Sequence, residues 1–217
     1  MFNMEKTKTY SGPDTADRLW EKGVKILTAT GYFISGFILS GAGLLSLKTP
    51  LNIGLAASCT GFELIFASLG GIVGAVLRLD GGDMLNAILP QAGICAVIFA
   101  LDRLGIYKKR RTVLTVSVFL LCFICGAVVM FSEIPSVNEL VLTACSGLLC
   151  AASVTFYSGT VNCIKKKRSP YMLDTRSLVC IVASLCTVLL GSSEISFFGF
   201  RPARFFGCFV ILAASYL

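Results

Sequence analysis

Few residues in this chain combine the types and spacings that catalysis or metal binding requires. Cys122 and Cys125 have the spacing of a redox pair or of half a metal site, and Asp80 and Asp83 resemble carboxylate ligands of a metal-dependent phosphatase. The sequence contains no histidine, and no further acidic residues cluster near the two aspartates. We therefore interpret the cysteines as packing residues and residues 78–83 as a turn. We expect no metal and no other cofactor in this chain.

The cysteines as a whole do not indicate a disulfide scaffold, because the chain is far more apolar than that class of protein. In apolar surroundings a free cysteine behaves as a small hydrophobe. The ten cysteines all lie in apolar runs, at Cys59, Cys95, Cys122, Cys125, Cys145, Cys150, Cys163, Cys180, Cys186 and Cys208.

Glu63 is the most informative single residue, because it is the only charged residue within positions 49–77. An ionisable side chain at membrane depth is by default a candidate functional group. The alternative is a solvated position at the tip of a loop near the membrane interface, and we favour it. Glu63 remains the candidate intramembrane functional residue.

The composition indicates a membrane protein. The chain has 217 residues, of which 55% are hydrophobic and 14% charged, and its mean hydropathy is +0.81. A soluble domain carries about 25% charged residues. The net charge of +7 is concentrated in two blocks and is not interleaved with aromatic residues along one face, so we expect no nucleic-acid partner.

Two basic tetrads are predicted to determine the topology. They are Lys108, Lys109, Arg110 and Arg111, and Lys165, Lys166, Lys167 and Arg168. Positive residues next to membrane helices stay on the cytoplasmic side, so we expect both tetrads and the N-terminus to be cytoplasmic at the plasma membrane. Anionic lipid headgroups are the expected partner, at roughly 1 kcal/mol per nearby cation.

The apolar runs predict an all-α, polytopic bundle. Residues 1–25 form a cytoplasmic N-terminal segment, and residues 26–217 form a multi-spanning membrane domain with about six to eight membrane segments, judged against the ~20 residues that cross a bilayer. Full spans are expected at residues 26–47, 84–101, 112–132, 140–164 and 177–193. The last run, residues 205–217, is too short to span upright, which predicts a domain incomplete at its C-terminus.

Residues 49–77 are predicted to form a broken or re-entrant pair of helices. Pro50, Gly54 and Gly61 interrupt this run, which favours two helices joined near Gly61 over one long helix. The chain is expected to be outside after the first span and inside by Arg103. The pair should therefore contribute an even number of crossings, most simply none. Irregular backbone at this depth requires burial in protein or a water-filled cavity.

Small residues predict two close-packing faces, because in lipid they allow helix backbones to approach each other. The first face belongs to the first span and the second to the second helix of the broken pair. Their members are Gly31, Ser35, Gly36, Ser40 and Gly43, and Ala67, Gly70, Gly71, Gly74 and Ala75.

A family resemblance is carried by several stretches taken in order: residues 50–57 (PLNIGLAA), 69–77 (LGGIVGAVL), 81–89 (GGDMLNAIL), 173–178 (LDTRSL), 189–191 (LLG) and 197–217. In this order and spacing they resemble the N-terminal membrane region of stage II sporulation protein E from clostridial-type spore formers. The likeness extends over most of the chain.

The resemblance implies a polytopic membrane anchor that precedes a manganese-dependent serine phosphatase of the PP2C type. In that family the enzyme dephosphorylates an anti-anti-sigma factor, and the membrane region helps to position it at the asymmetric septum. Self-association and contacts with cell-division proteins are implied as well. No position here matches the phosphatase motifs, so no catalytic residue is carried over, and manganese is expected only for the absent domain.

A small transporter or permease subunit is the alternative function, because transporters build substrate sites from discontinuous helices. Against it, the sequence shows no inverted repeat and offers only Glu63 as an interior carboxylate. A membrane enzyme is a third possibility, for which the sequence supplies no acid–base pair.

Overall fold

The computed structural model describes residues 15–44, 47–48, 51–105, 110–130, 136–165, 174–193, 195, 203–204 and 207–208. Its helices are α1 (Thr15–Leu39), α2 (Asn52–Ser58), α3 (Phe62–Arg78), α4 (Gly81–Leu104), α5 (Arg110–Met130), α6 (Val137–Lys165) and α7 (Thr175–Ser192). Two strands of two residues each, β1 (Gly43–Leu44) and β2 (Leu47–Lys48), pair in antiparallel fashion. Apart from this short ladder, the described part is helical, which confirms the predicted all-α class.

Four helices in the described part are long and apolar enough to cross a membrane, by length and composition. They are Gly81–Leu104, Arg111–Met130, Val137–Lys165 and Thr175–Ser192. These helices correspond to four of the five predicted full spans. The protein is therefore a membrane protein by the properties of its helices.

The long helices alternate in direction between two ends of the bundle. Helices α5 and α6 are antiparallel, because Gly126 lies beside Thr143 whereas Arg111 bonds to Thr155. Arg111, Lys165 and Arg176 lie at one end, which we call the basic end. Arg78 lies at the other, which we call the opposite end. Helices α1, α3, α5 and α7 run toward the opposite end, and α2, α4 and α6 run toward the basic end.

Helices α1 and α3 are parallel and form the most extensive helix–helix contact among the described elements. A Cβ atom at Gly70 would overlap with the Phe33 carbonyl, and one at Gly36 would overlap with the Ala67 carbonyl. A Cβ atom at Gly74 would overlap with Ser40 and with the Phe37 carbonyl. The two predicted close-packing faces thus meet, and glycine is required where the backbones touch. Gly31 is an exception, since no neighbouring atom would lie within 4 Å of its Cβ.

Helix α2 lies at the centre of the bundle, with all residues from Leu51 to Ala57 buried. It packs on α3, α4 and α6. Gly54 lies against Ser153 of α6 so closely that no larger residue fits. Neighbouring helices therefore shield the backbone of α2 and its ends. Irregular backbone inside a membrane domain is tolerated where protein buries it in this way.

The predicted break near Gly61 is confirmed. Gly61 separates α2 from α3 and has φ of +60°, a left-handed conformation that favours glycine. The expectation that the pair makes no membrane crossing stays a prediction, because neither α2 nor α3 is among the four described helices that are long and apolar enough to span. The chain passes from the opposite end after Leu39 to the basic end at Thr60, and α3 then returns to the opposite end at Arg78. The broken pair thus makes two passages along the length of the bundle.

Several predicted boundaries of helices and turns are wrong. The first span was expected at residues 26–47, but α1 begins at Thr15 and ends at Leu39. The turn at residues 78–83 is reduced to two residues between α3 and α4. Glu139, expected in a loop, instead lies in the first turn of α6 and forms a capping box with Ser136. Its carboxylate accepts a hydrogen bond from the Ser136 N–H (2.8 Å), and its own N–H donates to Ser136 Oγ (3.4 Å).

Some predictions fall outside the described residues. These concern most of the N-terminal segment, residues 133–135 of the loop expected at 133–139, most of the last run at 205–217, and Lys108, Lys109, Lys166, Lys167 and Arg168. Arg110, Arg111 and Lys165 are the tetrad members that belong to described helices.

Gly70→Ala and Gly31→Ala should change stability in opposite directions. The Gly70 methyl would overlap with the Phe33 backbone, and such overpacking costs about 1–3 kcal/mol. The Gly31 methyl meets open space, so the helix gains roughly 0.5–1 kcal/mol from the lower backbone entropy of alanine. The free energy of unfolding in detergent micelles, measured by denaturant titration, checks both values. Equal effects at the two positions would contradict the α1–α3 contact.

Candidate functional site

Glu63 lies at the basic end of the bundle, in the first turn of α3. Its Oε2 is 2.7 Å from Lys165 Nζ, and its side chain is 24% exposed. Lys165 Nζ also donates to the Thr60 hydroxyl at 3.2 Å. These contacts fasten the α2–α3 junction to the last turn of α6. Because Lys165 is itself 40% exposed, the ion pair belongs to the solvent-accessible class that contributes about 0–1 kcal/mol.

The described tetrad residues have structural contacts of their own. Arg111 donates from Nη2 to the Thr155 carbonyl at 2.6 Å, which links the first turn of α5 to α6. Arg110 is the first residue of α5 and Lys165 the last of α6. The two tetrads therefore flank helix ends that lie at the same end of the bundle.

The bundle interior holds a cluster of polar side chains that the sequence analysis missed. Asn52 Nδ2 donates to Gln91 Oε1 at 3.1 Å, and Gln91 Nε2 donates to Ser68 Oγ at 3.0 Å. Ser68 Oγ is 3.4 Å from Cys95 Sγ. This interior polar cluster (Asn52, Ser68, Gln91 and Cys95) joins α2, α3 and α4. The sequence indicated it only through two amide side chains, Asn52 and Gln91, that lie within apolar runs.

The interior polar cluster is deeply buried, with Asn52 1% and Gln91 0% exposed. No donor among the described residues reaches Asn52 Oδ1. Gly71 supplies the space for Asn52, because a Cβ atom there would overlap with Asn52 Nδ2. Hydrogen bonds between buried amides are costly to break, since the partner left behind has no water to replace them. The cluster therefore fixes how α2 seats against α3 and α4.

Arg78 joins three helices at the opposite end. Its Nη1 donates to the carbonyls of Phe37 (3.3 Å) and Ile38 (3.1 Å), and its Nη2 donates to the Gly191 carbonyl (3.2 Å). These carbonyls belong to the final turns of α1 and α7. A cation is favourable there, because the C-terminal end of a helix carries partial negative charge. Arg78 thus caps two helices from a third.

The two motifs that suggested metal or redox chemistry are not assembled into sites in the described part. Cys122 is buried beside Cys150 of α6, whereas Cys125 is half-buried. Asp80 and Asp83 are exposed at the start of α4. Among the described residues, no group of three or more cysteine or acidic side chains could hold a metal ion.

Comparison of the chain with family models, curated proteins and solved structures finds no match. What the arrangement can do therefore follows from its own chemistry. Charged side chains at the two ends and amides in the middle hold helices together. Glu63, the candidate functional carboxylate, is engaged by a lysine at the basic end.

Gln91→Leu should destabilise the protein by about 1–3 kcal/mol, because it leaves the buried Asn52 amide without its acceptor. Adding Asn52→Leu removes the unpaired Asn52 amide. The double variant should therefore lose less unfolding free energy than the two single variants lose together. The control is Asn138→Leu, an exposed amide at the start of α6, which should change stability by less than about 0.5 kcal/mol. Strict additivity in a double-mutant cycle of unfolding free energies would refute the coupling.

Proposed function

We propose that this chain is the membrane-anchoring, localisation and self-assembly module of a sporulation-specific serine phosphatase that acts on an anti-anti-sigma factor at the asymmetric septum. The family resemblance of the ordered sequence stretches motivates the identity of the parent enzyme. The observation that supports an anchor is the placement of charge. Glu63, Lys165 and Arg78 lie at the bundle ends and bond helices to one another.

In this proposal the basic end faces the cytoplasm at the plasma membrane, as does the N-terminus, because both tetrads flank that end. We assign six to eight membrane segments to the domain. Besides the four long apolar helices, α1 and the 17-residue α3 cross, since 17 residues extend about 25 Å at 1.5 Å per residue. Helix α2 extends about 10 Å by the same rule and, with the chain that leads into it from α1, forms the return passage between these two crossings.

The surface supports lipid contact and self-association. An apolar stripe at helical spacing on α5 is exposed, consisting of Val116, Leu120, Ile124 and Val128. In a bilayer such a stripe packs against acyl chains or against a second copy. Contacts with cell-division proteins are proposed on the family resemblance alone. This chain contributes no catalytic group, and manganese belongs to the phosphatase domain.

A fluorescent fusion of residues 1–217 should be enriched at the asymmetric septum of a sporulating host. The expected signal there exceeds the lateral membrane signal by more than the twofold that two apposed membranes produce. The control is an unrelated polytopic protein with the same fluorophore. Uniform labelling by the fusion, together with failure of the chain to support sporulation when joined to a serine phosphatase domain, would contradict the proposal.

A small transporter or permease subunit is the second candidate function. It is favoured by one arrangement, the discontinuous α2–α3 pair at the bundle centre with the buried amide of Asn52. Transporters place substrate and ion sites at such interrupted helices. The Glu63–Lys165 ion pair argues against it, because the carboxylate is held at the end of the bundle.

Proton flux into proteoliposomes, followed with a trapped pH-sensitive dye, separates the two functions. An anchor is expected to give the same slow flux as empty vesicles, both as wild type and as Glu63→Gln. Flux above that background that falls in Glu63→Gln but persists in Glu139→Gln, a carboxylate at the other end of α6, would favour the transporter.

A further inference from the structure

We propose that the basic end carries a binding site for the phosphate-bearing headgroup of an anionic phospholipid. The site is a cavity of about 140 Å³ between the first turns of α5 and α7 and the C-terminal part of α6. Its polar lining consists of Arg111, Asn162, Arg176 and Ser177. A wider space of about 560 Å³ shares both arginines and adds Thr112, Thr115 and Thr155. We call the two together the headgroup cavity.

Two guanidinium groups from different helices converge on the headgroup cavity. Arg111 uses Nη2 for the Thr155 carbonyl, and the guanidinium has further N–H donors that remain for a ligand. Among the described residues, no carboxylate pairs with Arg176. Planar guanidinium groups favour phosphate because two parallel N–H donors match two phosphate oxygens. The surrounding hydroxyl and amide groups supply further donors.

Helices α5 and α7 both begin at this cavity, at Arg110 and Thr175. The N-terminal end of a helix carries partial positive charge and N–H groups without intrahelical acceptors, which together favour an anion. At α7 the N-cap residue, Asp174, forms no side-chain capping bond. The backbone N–H groups of the first turn thus add to the two arginines.

The described lining of the headgroup cavity carries two positive charges, those of Arg111 and Arg176. Neither space is lined by a carboxylate among the described residues, and the nearest acid in sequence is the exposed Asp174. The two segments that connect to these helix ends, residues 106–109 and 166–173, contain no acid in the sequence. They contain Lys108, Lys109, Lys166, Lys167 and Arg168. Basic pockets between helices at this membrane level are typical of anionic lipid headgroup sites.

Apolar residues beside the cavity favour a lipid over free inorganic phosphate. One turn further into the bundle, Val116 on α5 is 51% exposed and Val179 on α7 is 60% exposed. Leu120 and Val182 continue these exposed faces in the same direction. A headgroup bound by Arg111 and Arg176 therefore has its acyl chains directed along apolar helix surfaces. This site goes beyond the proposed function and holds whether or not a phosphatase follows the chain.

Native mass spectrometry of the full chain in neutral detergent tests the site with phosphatidylglycerol and phosphatidylcholine as probes. The wild type is expected to bind one phosphatidylglycerol at least about tenfold more tightly than phosphatidylcholine, a difference of about 1.4 kcal/mol. Arg111→Gln/Arg176→Gln should abolish this preference. The matched control, Arg103→Gln, alters an exposed arginine at the end of α4 and should keep it within twofold.

Ser177→Glu is a second variant that keeps both arginines, including the bond from Arg111 to Thr155. A carboxylate in the first turn of α7 suits the helix dipole and repels an anion from the headgroup cavity. The expected result is unchanged thermal stability with loss of the phosphatidylglycerol preference. Retention of that preference in Ser177→Glu and in the double arginine variant would overturn the site. Equal binding of the two lipids by wild type, with displacement of bound anion by millimolar inorganic phosphate, would overturn the assignment to a lipid.

Discussion

The parallel contact between α1 and α3 is the constraint on which the rest of the structure depends. In a bilayer, burial of apolar side chains between helices gains little, because lipid is equally apolar, so close backbone approach supplies much of the attraction. Gly36, Gly70 and Gly74 make that approach possible. With α3 held against α1, the chain between them must return through the bundle, and this places α2 at its centre.

The polar groups of the described bundle follow a simple division. Amide and hydroxyl groups occupy the interior, where Asn52, Gln91 and Ser68 are joined by hydrogen bonds without a net charge. Full charges occupy the ends, where solvent, helix termini or opposite charges compensate them. This division explains why Glu63, an isolated charge in the sequence, does not lie in the interior.

The features that could be predicted from the sequence were those set by composition and local backbone chemistry. Apolar run length located α4 to α7, and Gly61 located the break, because its conformation is a local requirement. The end of α1 and the path of the broken pair could not be predicted, since both depend on which helices pack together. The interior polar cluster was missed for the same reason: Asn52 and Gln91 are far apart in sequence and meet only after folding. Glu63 was expected at a solvated loop tip, whereas it lies in the first turn of α3, and its lysine partner is a tertiary contact that the sequence does not indicate.

Arg78 has a consequence for how orientation is deduced from cation counts. Such counts treat each lysine and arginine as an equal signal for the side on which a loop is retained. Arg78 lies at the end away from the tetrads, yet its guanidinium is occupied by backbone oxygens of Phe37, Ile38 and Gly191. The terminal dipoles of these two neighbouring helices partly compensate its charge. An arginine that binds the carbonyl ends of helices should therefore not be counted as a loop cation. Without Arg78, the difference in cation number between the two ends of the bundle is larger than the sequence alone suggests.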